Sequence, residues 1–302
     1  MTARENAGRT VLVTGATGKQ GGAVVNELLQ RGFRVRAITR DPRKPAARRL
    51  AELGAEVMQG DLDAPQSLRP LLEGMDGLFA VQNFWETGFE REVRQGIALA
   101  ELAHDVRIGH FVYSSVGSAH RNTGLSHFES KWTIEQRIRA LGLPYTIFRP
   151  VFFMDNWETP VLRASILDGT LAQPLAPERT FQQVAASDVG VFVAMAFADR
   201  DAWLGRELDL AGDELTMQQI ADTFSRVIGR PVVYVQLSWD QYRTAAGEEY
   251  TEMYRWFDRV GYDADIVALR TIDPQLTTFE KYLRSHDWEG AGRRGAAVSS
   301  EL

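Results

Sequence analysis

The amino-acid sequence predicts an α/β protein with a parallel, doubly wound sheet, followed by a smaller α+β region. A glycine-rich turn joins a short apolar strand to a helix at residues 11–22, and strands then alternate with helices up to residue 150. Beyond residue 150 the alternation loosens, and aromatic residues and prolines become more frequent. Alternation of this kind indicates right-handed crossovers between parallel strands, with a ligand crevice at the carboxyl ends of the strands.

The first half of the chain repeats a unit of one strand and one helix. Short apolar or alternating runs indicate six strands, at residues 11–13, 34–39, 56–59, 78–82, 111–113 and 143–149. The helices are expected at residues 18–32, 42–53, 65–72 and 89–103, and from residue 126 onward. Ser126 and Glu129 have the spacing of a capping box, which predicts that Ser126 caps the last of these helices.

The second half is predicted to form a smaller region that binds a substrate or a partner. Its longest apolar run, residues 189–198, is far shorter than the ~20 residues of a membrane span and indicates a buried helix. Thr216 and Gln219 form another capping box, which starts a helix that ends near residue 228. The remaining predicted elements are a strand at residues 232–237 and helices at residues 239–262 and 276–283.

These patterns divide the chain into three parts. We expect a first domain at residues 8–150, with later segments returning to its sheet, and a second region at residues 151–288. Residues 289–302 contain too few apolar side chains to pack, so we expect a disordered tail there.

Composition excludes several function classes. The 302 residues carry 34 basic and 40 acidic side chains, and the net charge of −6 argues against direct binding to nucleic acid. The absence of cysteine excludes disulfides, thiolate metal sites and cysteine nucleophiles, and we expect no metal site. The first nine residues contain no apolar stretch of the kind that a secretory signal needs. We therefore expect a cytoplasmic protein without a membrane span.

The glycine-rich turn carries the first indication of a ligand. Gly15, Gly18 and Gly21 recur at three-residue spacing between the first strand and the first helix. Residues without a Cβ let the backbone bend sharply, so that a pyrophosphate can approach the N–H groups and the positive dipole end of the helix. The pattern is GxxGxxG rather than GxGxxG, and the surrounding strand and helix supply the context that a dinucleotide site requires. The alternative is a purely structural turn.

The end of the second strand favours NADP(H) as that dinucleotide. An acidic residue at this place usually accepts a hydrogen bond from the ribose 2′-hydroxyl, whereas an arginine accommodates a 2′-phosphate. Arg40 is the first residue after the strand, although Asp41 could serve as the acidic residue, and the charges could also be a solvated helix start. Asp61, after the third strand, is placed to accept a hydrogen bond from an adenine amino group or simply to form a turn.

Several motifs together resemble one known family. They are TGATGKQGG at residues 14–22, TRDPRK at 39–44, QGD at 59–61, QNFWE at 82–86, HFESK at 127–131 and RPVFFMDN at 149–156. The chain resembles the NmrA-like branch of the atypical short-chain dehydrogenase/reductase superfamily over nearly its whole length. This resemblance implies a Rossmann-type domain that prefers NADP(H).

The same resemblance implies roles for individual cofactor-binding residues. It assigns the phosphate loop to Thr17, Lys19 and Gln20, the 2′-phosphate to Arg40 and Lys44, adenine to Asp61 and Leu62, and the nicotinamide ribose to Lys131. Pro150, Val151 and Phe152 would border the nicotinamide. Gln82 and Asn83 of the QNFWE motif are further candidates for cofactor binding.

Catalysis is less clearly indicated than cofactor binding. Ordinary members of the superfamily use a Tyr-x-x-x-Lys pair, and His127 stands at the tyrosine position, one helical turn before Lys131. Ser115 could polarise a substrate oxygen, and an imidazole has a pKa suited to acid catalysis, but a histidine is shorter than a tyrosine. The alternative is that His127 only begins the helix.

Two function classes remain open. The resemblance implies a regulator whose NADP(H) occupancy alters its engagement of a partner protein. The alternative is an NADPH-dependent oxidoreductase that reduces a small apolar acceptor, such as a quinone, an enone or a carbonyl compound. The aromatic residues that could line its pocket, or belong to the core instead, are Phe152, Phe153, Trp85 and Trp157.

Overall fold

The structure is a computed structural model that describes residues 6–288, and it divides into two units. The first contains residues 6–150 and 186–209, and the second contains residues 151–185 and 210–288. Residues 186–209 thus belong to the first unit, although they fall within the second region expected from the sequence. The segment for which we predict disorder, residues 289–302, lies outside the described residues.

Twelve strands are found in the described residues. They are β1 (Thr10–Val13), β2 (Arg34–Thr39), β3 (Glu56–Gln59), β4 (Gly77–Ala80), β5 (Phe111–Ser114), β6 (Tyr145–Pro150), β7 (Phe152–Phe153), β8 (Thr170–Gln173), β9 (Thr180–Val184), β10 (Glu207–Leu210), β11 (Asp213–Thr216) and β12 (Val233–Gln236).

The α-helices are α1 (Lys19–Gln30), α2 (Pro45–Glu52), α3 (Arg69–Leu72), α4 (Phe84–Asp105), α5 (Ser126–Ala140), α6 (Pro160–Leu167), α7 (Ala186–Ala198), α8 (Arg200–Trp203), α9 (Met217–Ile228), α10 (Trp239–Ala246), α11 (Glu248–Arg259), α12 (Ile266–Ile272) and α13 (Phe279–Ser285). Short 3₁₀ turns occur at Pro65–Leu68, Ala119–Arg121 and Met154–Glu158.

The first unit is built around a seven-stranded sheet with the order β10-β6-β5-β4-β1-β2-β3. Strands β1 to β6 pair in parallel, and β4 and β5 are buried along their whole length. Continuous apolar strands of this kind are typical of a parallel sheet covered on both faces. The predicted α/β class with a doubly wound, Rossmann-type sheet is therefore confirmed.

Helices cover both faces of this sheet. On one face α1 packs against α7, whose apolar sequence is buried as predicted for residues 189–198. On the other face α4 packs against α5, and their side chains, among them Leu99 and Ile134, form a core cluster with Tyr113 and Ile147 of the sheet. Because β1 and β4 pair in parallel and are followed in the chain by α1 and α4, their carboxyl ends meet at one edge of the sheet, at the starts of these two helices.

A network of charged side chains joins α5 to the edge strand β10 and its neighbour β6. Arg149 donates to Glu135 at 2.9 Å and to Glu207, and Arg139 donates to the same two carboxylates. Burial raises the pKa of Glu207, but the hydrogen bonds from Arg139 and Arg149 outweigh burial and hold this pKa at about 2. The network fixes β10, a late segment of the chain, beside β6.

The second unit combines two small sheets with helices. One sheet has the order β11-β9-β7, with β11 antiparallel and β7 parallel to β9, and the other pairs β12 with β8 in parallel. The ring of Phe181 contacts the rings of Phe152, Tyr254 and Phe257, which places an aromatic core beside β9. The predicted capping box at Thr216 and Gln219 is confirmed, since each side chain accepts the backbone N–H of the other residue.

Two details of the predicted secondary structure are wrong. Helix α5 begins at Ser126, so Ser126 is not its cap, and the carboxylate of Glu129 instead accepts hydrogen bonds from Thr123 Oγ1 and the Gly124 N–H. The helix predicted at residues 239–262 is divided into α10 and α11 at Gly247, whose φ is +87°. The helix predicted from residue 89 does follow a break in the backbone at Gly88, and α4 includes one additional short turn before that break, which starts at Phe84 and is capped by Asn83.

Among the described residues, we find no helix that combines the length and the apolar character needed to cross a bilayer.

Candidate functional site

The glycine-rich turn folds tightly at the carboxyl end of β1. Gly15 has a φ of +59°, which favours glycine, and its carbonyl accepts the N–H of Gly18 at 2.9 Å. A Cβ built on Gly21 would lie 2.2 Å from the carbonyl oxygen of Gly15, so the start of α1 touches the turn directly. Thr14 Oγ1 donates to the Val81 carbonyl and accepts the Val81 N–H, which ties the end of β1 to the end of β4.

The start of α1 suits a negatively charged group. Gly18 is the N-cap and offers no side-chain acceptor, and the first turn of the helix contains no acidic residue. Thr17, Gly18 and Lys19 are exposed. An uncapped helix start with exposed neighbours leaves room for a pyrophosphate at its amide groups, so this turn fits a dinucleotide.

Gln20 lies in the same turn but is held from the sheet side. Its Oε1 accepts a hydrogen bond from Ser114 Oγ at 2.6 Å, at the carboxyl end of β5. Gln20 therefore connects the glycine-rich turn with the strand that leads to Ser115.

Arg40 lies at the end of β2 and is exposed. Its Nη2 forms an ion pair with Glu86 Oε2 at 2.9 Å. The neighbouring Asp41 carboxylate accepts both the backbone N–H and the Nε of Arg43, and these hydrogen bonds lower the pKa of Asp41. Because the Asp41 carboxylate is already hydrogen-bonded within its own loop, Arg40 is the stronger candidate of the two for contact with a cofactor. Lys44, also exposed, is the N-cap of α2.

The two residues expected at adenine follow β3. Asp61 Oδ1 accepts the N–H of Asp63 at 3.0 Å, which is the turn-forming arrangement that the sequence left as an alternative. Leu62 is partly buried and packs against the core cluster between the sheet and helices α4 and α5.

Lys131 lies in a buried polar cluster between α4 and α5. Its Nζ pairs with Glu92 Oε1 at 2.8 Å and donates to the Gln82 carbonyl at 2.9 Å. Ser130 Oγ donates to the other oxygen of Glu92. Burial, together with the charges of Glu92 and Glu135, raises the pKa of the Tyr113 hydroxyl, which lies beneath Lys131 in the same cluster.

His127 is packed among aromatic rings. Its ring centroid lies 5.5 Å from Phe84, 5.2 Å from Trp85 and 4.8 Å from Phe128. His127 is buried, whereas Trp85 is half exposed. The imidazole, which stands where the sequence resemblance implies a tyrosine, lies within a group of three aromatic side chains.

Two buried polar side chains lie at the carboxyl ends of β4 and β5. Within residues 6–288, the two polar atoms of the Gln82 side chain have no hydrogen-bond partner. The Oγ of Ser115 has none there either. Asn83, next to Gln82, is exposed and accepts the Trp85 N–H as the cap of α4. Burial without a partner is costly for such groups, and a polar ligand at this edge would satisfy them.

The residues expected to border the nicotinamide are divided between the two units. Pro150 belongs to the first unit, where its carbonyl accepts the Gly117 N–H at 2.8 Å. Val151 and Phe152 belong to the second unit, where the ring centroids of Phe152 and Trp157 lie 5.2 Å apart. Trp157 is fully buried and its Nε1 donates to Gln183. In the second unit these aromatic residues therefore pack as part of the core.

A sequence model of the NmrA-like family matches residues 7–288. The chain belongs to the NmrA-like family. The resemblance inferred from the motifs is thereby confirmed.

One NmrA-like relative and several solved structures of similar fold match almost the whole chain. An NmrA-like family domain-containing protein of Dictyostelium discoideum is 27% identical over 301 residues, which cover 93% of this chain and 99% of the relative. The Citrobacter sp. triphenylmethane reductase, solved in complex with NADP(H), has a TM-score of 0.78 at 22% identity and covers 91% of this chain and 99% of its own. NmrA, a negative transcriptional regulator solved with NADP, has a TM-score of 0.74 at 22% identity. The match covers 93% of this chain and 98% of the NmrA chain. The two structural likenesses show the fold.

Two acidic residues of this NmrA-like chain were missed by the sequence analysis. Glu92 pairs with Lys131, and a signal for it exists, since Glu92 precedes the buried Gln95, Gly96 and Leu99 by three, four and seven residues on one helix face. A charge on such a face usually has a buried partner. Glu86 belongs to the QNFWE motif, but no pattern in the sequence pairs it with Arg40, because the two exposed side chains meet only in the fold.

The described part of the NmrA-like chain contains no cluster of three or more His, Asp or Glu side chains arranged to hold a metal ion.

Proposed function

We propose that this chain binds NADP(H) at the carboxyl edge of the seven-stranded sheet and acts as a cofactor-responsive regulator. The glycine-rich turn and the exposed Arg40 support the binding of a dinucleotide with a 2′-phosphate. Membership of the NmrA-like family supports the same assignment, as do the related folds solved with NADP(H) or NADP.

One observation carries the regulatory assignment. The superfamily's tyrosine is replaced by His127, which is buried against Phe84, Trp85 and Phe128. A shorter side chain held among apolar rings is poorly placed to donate a proton to a substrate. Lys131 remains at the lysine position of the Tyr-x-x-x-Lys arrangement, where its Nζ pairs with Glu92, whereas the proton-donating tyrosine of that arrangement is replaced.

The regulator would act on a protein rather than on nucleic acid. The net charge of −6 disfavours contact with a phosphate backbone, and we place the protein in the cytoplasm. In this proposal the concentration and redox state of NADP(H) determine whether the partner is engaged.

A second candidate is an NADPH-dependent oxidoreductase. It is favoured by Ser115, whose buried hydroxyl could polarise a substrate oxygen, and by the likeness of the fold to the Citrobacter triphenylmethane reductase. The exposed ring of Trp85 would then contact a small apolar acceptor.

The substitution His127→Tyr tests the regulatory assignment. We expect the wild-type protein to bind NADPH in calorimetry without oxidising it in the presence of aldehydes and ketones, and His127→Tyr to gain measurable oxidation. Gain of activity on restoring the tyrosine would identify the missing proton donor as the reason for inactivity. His120→Gln, a change at an exposed histidine of the same unit, is the matched control. Equal carbonyl reduction by wild type and His127→Tyr would favour the oxidoreductase.

A further inference from the structure

An exposed ion pair connects the end of β2 with the first turn of α4. Arg40 Nη2 lies 2.9 Å from Glu86 Oε2, and the two side chains are 59% and 54% exposed. The guanidinium that is assigned to the 2′-phosphate thus already holds a carboxylate.

Two other arginines near this edge are paired with other carboxylates. Arg43 donates to Asp41 within its own loop, and Arg91 donates to Asp63 at 2.9 Å. Neither Arg43 nor Arg91 therefore uses Glu86, the carboxylate that pairs with Arg40. Glu86 is therefore the acidic side chain that competes directly with a ligand for Arg40.

Glu86 lies on a short turn that is separated from the rest of α4. Asn83 Oδ1 accepts the Trp85 N–H, and Thr87 Oγ1 donates to the Asn83 carbonyl. At Gly88 the backbone leaves the helical conformation, with φ at 70° and ψ at 175°. No atom lies within 4 Å of a Cβ built there, so the break is not enforced by packing around Gly88.

The two sides of Gly88 are held differently. Beyond the break, α4 is fixed to α5 by the contacts of Glu92 with Lys131 and Ser130. Before the break, the turn carries Phe84 and Trp85 against the ring of His127. A movement of Glu86 can therefore shift Trp85 without disturbing the buried part of α4.

We propose that Glu86 is a specificity-determining residue that holds Arg40 until a 2′-phosphate displaces it. This inference rests on the proposed binding of NADP(H). A phosphate carries more charge than a carboxylate and binds a guanidinium through two oxygens, so it replaces Glu86. The displaced carboxylate is repelled by the phosphate, and the turn ending at Gly88 moves Trp85 relative to His127. NAD(H), which has no 2′-phosphate, leaves the Arg40–Glu86 pair in place.

Two adenosine nucleotides isolate the 2′-phosphate from the rest of the cofactor. Adenosine 2′,5′-bisphosphate and adenosine 5′-monophosphate differ in that group alone, and calorimetry measures both affinities with the full-length protein. Exposed ion pairs contribute up to about fivefold to an equilibrium. We expect Glu86→Gln to tighten binding of the bisphosphate by about two- to fivefold and to leave the monophosphate unchanged.

The matched control is Glu90→Gln, which removes an equal charge from an exposed position on the same helix. It should leave the affinity for the bisphosphate unchanged. In an Arg40→Ala background, Glu86→Gln should lose most of its effect, because the group for which Glu86 competes is absent and only the direct repulsion between Glu86 and the phosphate remains. An equal effect of the two glutamate changes, or persistence of the full Glu86 effect without Arg40, would overturn the competition.

Tryptophan fluorescence reports the movement of the turn. We expect the bisphosphate, and not the monophosphate, to change the emission of the wild-type protein, and we expect Trp85→Phe to abolish that change. Emission that responds equally to both nucleotides would contradict the coupling between Glu86 and Trp85.

The outcomes separate this inference from the proposed function. If the bisphosphate binds wild type no tighter than the monophosphate does, the preference for NADP(H) fails, and the role of Glu86 fails with it. If the bisphosphate binds more tightly but Glu86→Gln has no effect, NADP(H) binding stands and the role of Glu86 alone is rejected.

Discussion

At the scale of single residues, the glycines of the glycine-rich turn have different structural roles. A Cβ on Gly21 would lie 2.2 Å from the Gly15 carbonyl oxygen, whereas a Cβ on Gly18 would lie 3.3 Å from the same atom. Gly21 is buried and Gly18 is exposed. The three-residue spacing visible in the sequence therefore combines a packing requirement at Gly21 with the cofactor contact that we propose for Gly18.

Substitution at the two glycines should separate stability from binding. Gly21→Ala should lower the free energy of unfolding by about 1–3 kcal/mol, because the backbone of the turn must move to admit the Cβ. Gly18→Val should change that free energy less but abolish binding of both NADP(H) and NAD(H), since its side chain occupies the pyrophosphate position. Urea unfolding and calorimetry measure the two effects.

Gly22→Ala serves as the control for both substitutions. A Cβ at residue 22 would make an ordinary contact of 3.5 Å with the Ala16 carbonyl oxygen. A loss of stability for Gly22→Ala as large as that for Gly21→Ala would refute the packing argument.

At the scale of elements, the decisive contacts join helices that the sequence pattern treats separately. Glu92 of α4 pairs with Lys131 of α5, and both are buried. Removing one partner from such a pair leaves an uncompensated charge, whereas replacing both with apolar side chains restores balance.

Glu92→Gln should therefore lower the free energy of unfolding by about 3 kcal/mol. The double variant Glu92→Leu/Lys131→Met should lose less free energy of unfolding than Glu92→Leu alone or Lys131→Met alone. Urea unfolding of the wild type, Glu92→Gln, the double variant and its two single variants measures these differences, and Glu90→Gln provides the exposed control, with an effect below about 0.5 kcal/mol. Additive losses in the double variant would show that the two side chains do not act as a pair.

Local patterns predicted most strands and helices correctly, because periodicity and capping act over a few residues. Strands β2 and β3 occur at the predicted residues 34–39 and 56–59, and α9 begins at the predicted capping box. The capping box at Ser126 failed because Glu129 found partners at Thr123 and Gly124, before the helix. Local spacing cannot choose between two such arrangements.

The candidate site was only partly predictable for the same reason. Gly15, Arg40 and Lys131 belong to recognisable motifs, so the sequence identifies them as candidates. Their partners depend on which elements the tertiary fold brings together, as with Glu86, 46 residues from Arg40. The Phe152 and Trp157 side chains could line a pocket or fill a core, and only the burial in the folded second unit distinguishes these possibilities.

At the scale of the whole molecule, buried titratable groups make stability depend on pH. Burial, aided by the charges of Arg200 and Arg9, lowers the pKa of His110 from 6.5 to about 3. Between these two pH values the unfolded chain binds a proton that the folded protein does not. The His110 contribution is therefore complete above pH 6.5 and is lost as the pH falls towards 3.

His110→Gln should reduce this dependence. The wild-type free energy of unfolding should fall between pH 6.5 and 5 with a slope of up to about 1.4 kcal/mol per pH unit from this group. His110→Gln should lose that component of the slope, whereas His120→Gln, at an exposed position, should retain it. Urea unfolding at several pH values makes the comparison, and parallel curves for wild type and His110→Gln would contradict the assigned pKa.

The most direct test of the regulatory account is turnover of NADPH by the purified wild-type protein. Calorimetry first establishes that the cofactor is bound. The oxidation of NADPH is then followed by its absorbance in the presence of quinones, aldehydes, ketones and enones. A cofactor-responsive regulator should bind NADP(H) tightly and should sustain no NADPH oxidation with any of these acceptors. Oxidation faster than about 1 s⁻¹, which is the lower range of ordinary enzymes, would contradict the regulatory assignment and identify the protein as a reductase.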